Sequence, residues 1–474
     1  MSSSRIVLAL AVGVAAFVCA TGAARAQAPD PALVERGEYL AKAGDCAGCH
    51  TAPGAGSSAF AGGYAIPSPM GGIIASNITP SKTHGIGGYS LKDFTRAVRD
   101  GVLPDGTHLY PAMPYTAYAG VTDQDIAALY AFFMLKVAPV DNSPPKTELP
   151  FPFNVRASMI GWNLLYAGRG TAPDPGGSPQ TQRGRYLVEQ LGHCGTCHTP
   201  RNALMGEKTS RFLGGGEVGG WHARNITPDP VAGIGAWTED EIVAYQKHGF
   251  VPGKSVAAGP MAEAVEHSLR YLTDDDLRAI AAYLKTVPAV SEPGAARPAY
   301  AWKEARPAAV TSFETGSQRA DLANAATLDG AILYNGACAS CHGVDGAGTS
   351  DRFFPSLTSS TTVGSADPSN LVMTITEGVD RRGFSGHAFM QGFGEELTNA
   401  QIASVATYVA KRFGNPDVSV DEAKVAELRA GGPTPTIVKA GPAVAVAIAL
   451  LVLVAVVIVV RLVRRVTGRK APTA

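Results

Sequence analysis

GHCGTCHTPR, residues 192–201, sets Cys194, Cys197 and His198 in a Cys-x-x-Cys-His run. Such a run serves as a metal clip, a redox dithiol, or a point where haem is joined to the chain. The rest of the chain decides among them. Of seven cysteines, Cys19 lies in an N-terminal apolar stretch. The other six form the pairs Cys46/Cys49, Cys194/Cys197 and Cys338/Cys341, each followed directly by a histidine: His50, His198 and His342. A thioredoxin-like dithiol does not need that histidine. A four-ligand zinc site would have to be assembled from pairs 148 and 144 residues apart. Covalent c-type haem accounts for every residue: two thiols add across the vinyl groups and the histidine is aimed at the iron. Three motifs that use up the mature cysteines predict three covalent haems, held through Cys46, Cys49, Cys194, Cys197, Cys338 and Cys341.

An internal repeat fixes the organisation. SNITPSKTHGIGGYS, from Ser76, aligns with RNITPDPVAGIGAWT, from Arg224, at the same 148-residue offset as the motifs. Ahead of the motifs, RGEYLAKAGDC matches RGRYLVEQLGHC with one residue inserted in the second. A repeat this faithful means one supersecondary unit built twice. A third unit is shorter and more distant, with CHGVDGAG after its first motif cysteine. All three close on a similar helix, TDQDIAALYAFF, TDDDLRAIAAYL and TNAQIASVATYV. Thr122, Thr273 and Thr398 stand at N-cap positions, with Asp125, Asp276 or Gln401 three residues on; Thr398/Gln401 matches the capping box best. The expected units are 32–140, 181–290 and 327–414, joined by connectors 141–180, 291–326 and 415–440. The first connector encloses FPFNVRASMIGWNLLYAG, an amphipathic helix candidate that either docks a partner or packs on a neighbouring unit.

Each iron needs a sixth ligand or an open face. Met113 and Met261 both lie 63 residues after their motif histidine, whereas none of the other histidines recurs between the repeats. The local sequences YPAMPY and AGPMAE set both methionines beside proline, which suggests irregular loops. In the third unit Met390 and Met373 compete, with His387 as an outsider. Met390 precedes the closing threonine by 8 residues, close to the 9 and 12 of Met113 and Met261, and is the expected ligand. His/Met ligation leaves no position for substrate, so these haems pass single electrons. No separate constellation for covalent or acid–base catalysis stands out, and no catalytic residue is assigned.

Both ends carry targeting signals. Residues 1–26 combine Arg5, an apolar run and the small-residue site Ala24-Arg25-Ala26, the pattern of a secretory signal peptide. Gly441 to Val460 is an uncharged apolar stretch of 20 residues, long enough as a helix to cross a bilayer. Arg461, Arg464, Arg465, Arg469 and Lys470 follow, and basic flanks stay cytoplasmic. The expectation is a single-pass inner-membrane protein with its haems in the periplasm, a span at 441–460 and a cytoplasmic tail at 461–474. Forty basic residues balance forty acidic ones, which argues against a nucleic-acid partner.

With CAGCHTAP, SNITP, YPAMPY, CGTCHTPR, RNITPD, GIGAW, GPMAE and CASCHG in place, the chain resembles the triheme cytochrome c subunits of bacterial membrane-bound dehydrogenases. The resemblance covers nearly all of residues 32–414. It implies an all-α fold of three tandem cytochrome c domains with one C-terminal transmembrane helix. It also implies transfer of electrons from a partner dehydrogenase subunit to ubiquinone. The family's haem ligands fall on His50, Met113, His198, Met261, His342 and Met390. The third methionine departs from the pattern, sitting in HAFMQGF instead of a proline-flanked loop. The long apolar tail favours a molybdenum-type aldehyde dehydrogenase as partner, with alcohol and sugar-acid dehydrogenases as the alternatives and a small iron–sulfur subunit as a further candidate partner. Two other readings stay open: a cytochrome module donating to a terminal oxidase, and a haem peroxidase.

Overall fold

The computed structural model describes residues 30–54, 56–168, 176–294, 296–306, 324–383 and 386–467. The expected signal peptide, most of the second half of the second connector and the end of the basic tail lie outside them.

The first segment runs α1 (Pro31–Ala43), α2 (Cys46–His50), the hairpin β1 (Ala65–Ile66) and β2 (Ile73–Ile74), α3 (Leu91–Asp100), α4 (Tyr115–Tyr118) and α5 (Asp123–Leu135). A connector helix, α6 (Ser158–Tyr166), follows. The second segment comprises α7 (Pro179–Tyr186), α8 (Gly195–His198), β3 (Gly216–Val218), β4 (Trp221–Ala223), α9 (Glu239–His248), β5 (Phe250–Val251), β6 (Ser255–Val256), α10 (Gly259–His267) and α11 (Asp274–Leu284). The third holds α12 (Gly330–Ala337), α13 (Ala339–His342), α14 (Thr361–Gly364), α15 (Ser369–Glu377), β7 (Val379–Gly383), β8 (Gly386–Met390) and α16 (Asn399–Phe413). Last come α17 (Glu422–Arg429) and α18 (Thr436–Thr467). The fold is helical as expected. Every strand described belongs to a two-stranded antiparallel hairpin inserted between helices.

Each segment is closed by its first long helix crossing its last: α1 on α5, α7 on α11, α12 on α16. A glycine marks every crossing. A methyl at Gly37 would lie 1.9 Å from the Ala128 carbonyl oxygen, one at Gly184 1.9 Å from that of Ala279, and one at Gly330 2.5 Å from that of Ser404. The helix backbones touch at these points, so no larger side chain fits without parting them.

The extra residue ahead of the second motif has a structural outlet. Residues Leu187–Leu191 form a π-helical turn directly after α7, absorbing the insertion while Gly184 keeps its crossing. The repeated Asn-Ile-Thr-Pro string is an internal clasp. Asn77 Oδ1 accepts from Thr79 N (2.9 Å) and Thr79 Oγ1 (2.7 Å), while Asn77 Nδ2 donates to the carbonyls of Val140 (2.8 Å) and Asn142 (3.0 Å). Asn225 repeats it with Thr227 and the Val290 carbonyl, 2.6 Å away. Both asparagines are buried, and their amides fold the chain after each closing helix back onto its own segment.

The expected capping boxes resolve into two kinds. Thr398 and Gln401 form the full reciprocal box. Thr122 and Thr273 cap the backbones of Asp125 and Asp276, but those carboxylates turn elsewhere. Asp125 accepts from Arg36 Nε (2.7 Å) in its own segment and from Tyr186 OH (2.6 Å) in the next. Asp276 accepts from Arg183 Nε (2.8 Å) and from Tyr39 OH (2.6 Å) of the first segment. Each tyrosine hydroxyl also receives the capping threonine's N–H, at 3.3 Å for Tyr186 and 3.2 Å for Tyr39. The first two segments are thus related by a reciprocal, two-fold-like exchange. One continuous core unites them, running from Leu40, Ile126 and Phe132 to Leu187, Leu277 and Leu284.

The third segment has its own core, centred on Leu333, Tyr334, Ile402 and Phe413, which also takes in Trp221 from the second. Residues 415–440, expected as an extended connector, instead contain α17. Val425 and Leu428, three residues apart on one face, are fully buried in that core.

The helix α18 is 32 residues long with Pro442 inside it. Among the described residues no helix is long and apolar enough to cross a membrane; several side chains in the apolar run of α18 are not among those described.

Candidate haem-binding sites

All three Cys-x-x-Cys-His runs fold as single helical turns, on α2, α8 and α13, with Cys194 and Cys338 at the caps of the latter two. A spacing of three puts both sulfurs of a pair on one side of the turn. Chain entry is sharp in the repeats. Asp45 (φ 50°) and His193 (φ 36°), each just before the first motif cysteine, adopt the left-handed conformation.

The motif histidines share one device. His50 Nδ1 lies 2.7 Å from the Ser76 carbonyl oxygen, His198 Nδ1 2.6 Å from that of Arg224, and His342 Nδ1 3.0 Å from that of Pro355. A carbonyl only accepts, so Nδ1 must carry the proton and Nε2 is left with its lone pair free. This is the tautomer and the orientation a histidine ligand of iron requires. Burial lowers the pKa of all three rings, which favours the neutral form.

The thiols agree. Burial, with smaller contributions from a neighbouring cysteine and, at the first motif, from Asp45, pushes Cys46, Cys49, Cys194 and Cys338 up to about 12. A zinc clip or a redox dithiol needs thiolates, which these surroundings disfavour. A neutral thioether sulfur suits them. The residues present therefore fit covalent haem, and the cysteines and histidines of each run would hold it.

The methionines differ in setting. Met113 occupies the turn before α4, its N–H donating to the Tyr110 carbonyl at 3.1 Å, and it packs with Cys46 against the core of the first two segments. Met261 does not lie in an irregular loop. Pro260, in the opening turn of α10, needs no N–H partner there, so the helix begins ahead of Met261. Met390 ends β8, facing Val379, and together with Cys338 flanks the third core. Met373 is 1% exposed inside that core, and a methyl at Gly220 would lie 3.3 Å from its sulfur. It is a packing residue. His387, on β8, pairs with Asp380 at 2.6 Å on the surface.

The first two motifs sit close to each other across the two-fold-like interface. Helix α10 packs on α2, and α4 on the π-helical turn before the second motif. Tyr118 stands edge-on to His193, with 5.6 Å between ring centroids. The residues missed in sequence are those whose carbonyls accept from the motif histidines. Ser76 and Arg224 occupy one repeat position, just before the buried asparagine, and that recurrence was the available signal. Pro355, closer to its histidine in sequence, had none.

The family model described as "Cytochrome c" matches residues 34–135, and "Cytochrome C oxidase, cbb3-type, subunit III" matches residues 325–409. The chain is 46% identical over 419 residues to the fructose dehydrogenase cytochrome subunit of Gluconobacter japonicus, covering 87% of this chain and 86% of that one. It is 39% identical to the gluconate 2-dehydrogenase cytochrome c subunit of Pantoea cypripedii, covering 89% and 94% of the two chains. Identity to the cytochrome c subunit of the quinone alcohol dehydrogenase of Gluconacetobacter polyoxogenes is 38%, covering 88% and 89%.

Proposed function

We infer the function from one premise: this chain belongs to the family of dehydrogenase cytochrome c subunits. Its cofactor is covalently bound c-type haem, and we assign three, one to each Cys-x-x-Cys-His run. His50/Met113, His198/Met261 and His342/Met390 are the proposed iron ligands. The subunit takes electrons from a dehydrogenase and hands them, one at a time, to ubiquinone. The observation that carries this reading is the threefold histidine clamp, which leaves the Nε2 lone pair free at each motif. When bound, six-coordinate haem supplies one-electron transfer and no substrate position. The chain's own part is to hold each ring by Nδ1, to keep water from the sulfurs, and to bring two motifs side by side.

For the partner, the relatives named for fructose, gluconate and alcohol suggest an enzyme that oxidises a carbinol. That supports a sugar or alcohol dehydrogenase over the aldehyde enzyme suggested by the tail. A small iron–sulfur subunit is a further proposed partner. The proposed topology keeps the haems in the periplasm after removal of 1–26, with α18 as the membrane span through its uncharged run 441–460 and its basic end inside. The oxidase reading draws on the family match at 325–409 and on an oxidase subunit that covers 18% of the chain, whereas the dehydrogenase subunits align over most of it.

Deleting the gene tests the proposal. Membranes should keep substrate oxidation with a soluble dye and lose substrate-driven ubiquinone reduction. Retention of quinone reduction would overturn it, and loss of oxidase activity alone would move the subunit to the oxidase.

A further inference from the structure

The connector between the first two segments exposes apolar side chains that no neighbour among the described residues covers. Phe151, Val155, Ile160, Leu164 and Leu165 are all exposed, and Leu164, at 84%, is the most exposed large apolar side chain among the described residues. Normally such a helix would be rolled over until these groups were buried. Here α6 is held in place by its other face. Asn163 accepts from Tyr115 OH (2.7 Å) and meets His108 Nδ1 (3.0 Å) in the first segment. Trp162 Nε1 donates to the Leu204 carbonyl (3.0 Å), and Asn202 Nδ2 donates to Tyr166 OH (3.1 Å), fixing α6 to the second segment. Positions 162, 163 and 166 thus face the protein, and 160, 164 and 165 face away. A methyl at Gly161 would meet nothing within 4 Å. The helix SMIGWNLLY carries no charge.

The same connector touches the start of α18. A methyl at Gly441 would lie 3.4 Å from the Phe153 ring, and the Phe153 carbonyl accepts from Tyr110 OH at 2.8 Å. The apolar face therefore lies beside the point where the proposed span leaves the globular part.

We propose that the outer face of α6, with Phe151 and Val155, lies in the lipid interface of the bilayer as a monotopic contact beside the span. The proposal rests on the reading of α18 as membrane-spanning. Lipid is the favoured occupant because the face adjoins the base of α18 and the helix that carries it, SMIGWNLLY, has no charged residue. The contact sets the first segment at the membrane surface, with the Met113 turn bracketed by the His108 and Tyr115 anchors of α6.

The full chain with its dehydrogenase, reconstituted in phosphatidylcholine vesicles bearing a diazirine in the acyl chain, provides the test. On irradiation, label should appear on peptides covering 151–165 as well as on α18. Leu164→Asp combined with Leu165→Asp should lose the α6 label, leave that on α18 unchanged, and retain full haem content. Label on α18 with none on α6 overturns the lipid contact, and shielding of α6 from a water-soluble carbene only when the dehydrogenase is present overturns it in favour of protein docking. Label on α6 with none on α18 upholds the contact and removes the span; absence of both removes both.

Discussion

The first two segments and the third solve the same problem differently. In the pair, Asp125 and Asp276 each leave their own helix cap to bind a tyrosine of the other segment, and one core runs through both. In the third, Gln401 stays in its capping box and a separate core forms, which takes in Trp221 of the second segment. Contact with the second segment is made by unlike parts. The Asn370 side chain brackets the His222 backbone, accepting from its N–H and donating to its carbonyl, both at 2.9 Å, and Trp221 Nε1 reaches Glu377 at 3.1 Å. A carboxylate accepts several strong hydrogen bonds at once and can serve arginine and tyrosine together, which a neutral amide does less well. Duplicated segments can therefore be joined through a residue already in the helix cap, whereas a divergent one needs contacts of its own.

The crossing glycines give the largest expected effect. Gly37→Val and Gly184→Val should each part a helix pair and lower stability by about 3 kcal/mol or more, with loss of haem from that segment on heme-stained gels. Gly330→Ala, with more room to its nearest carbonyl, should be the mildest change of this kind; equal damage from it would mean the third crossing is no looser.

The two third-segment methionines should separate cleanly. Met373→Ala empties a core position and should cost about 3 kcal/mol in thermal unfolding while leaving the methionine-to-iron charge-transfer absorbance intact. Met390→Ala should do the reverse, removing that absorbance from one haem with little loss of stability. A swapped result would make Met373 the ligand.

The exchanged carboxylates come next. Asp125→Ala and Asp276→Ala should each cost about 2 kcal/mol, and the double variant should depart from additivity because both sit in one interface. Gln401→Ala, in the other core, should add independently to either. Additivity of the two aspartates would break the two-fold-like picture.

The smallest effect concerns the contact of the second and third segments. Burial opposes charge on His222, but the Glu217 hydrogen bond and the charges of Asp367 and Glu217 outweigh it and the opposing Arg224, so its pKa is raised. A raised folded pKa gives stability that is complete below the ordinary imidazole value of about 6.5 and lost as pH rises through the folded value. The unfolding of the third segment should move to lower temperature over that rise, and Asp367→Asn should flatten the slope. A slope unchanged by Asp367→Asn would remove His222 from the account.

Much of this was legible from one dimension. The three motifs, the duplication, the closing-helix caps and the candidate methionines all depend on spacing along the chain, which covalent attachment and helical period impose directly. The inserted residue before Cys194 was visible, but that a π-helical turn would hold it was not. Proline beside Met261 suggested a loop because sequence cannot tell the opening turn of a helix from its interior. The stretch 415–440 read as a connector since its two buried residues have a partner only in the folded third core.

By itself, then, the sequence determined that the chain carries c-type haem chemistry and where its three Cys-x-x-Cys-His runs stand, since thiol, histidine and spacing are local. Tertiary structure decided which carbonyls orient the histidines, that Met373 packs in the core, and that two aspartates join segments instead of closing their own caps. Each of these depends on which backbone or side chain arrives from far along the chain, and only the packed cores bring those partners within reach.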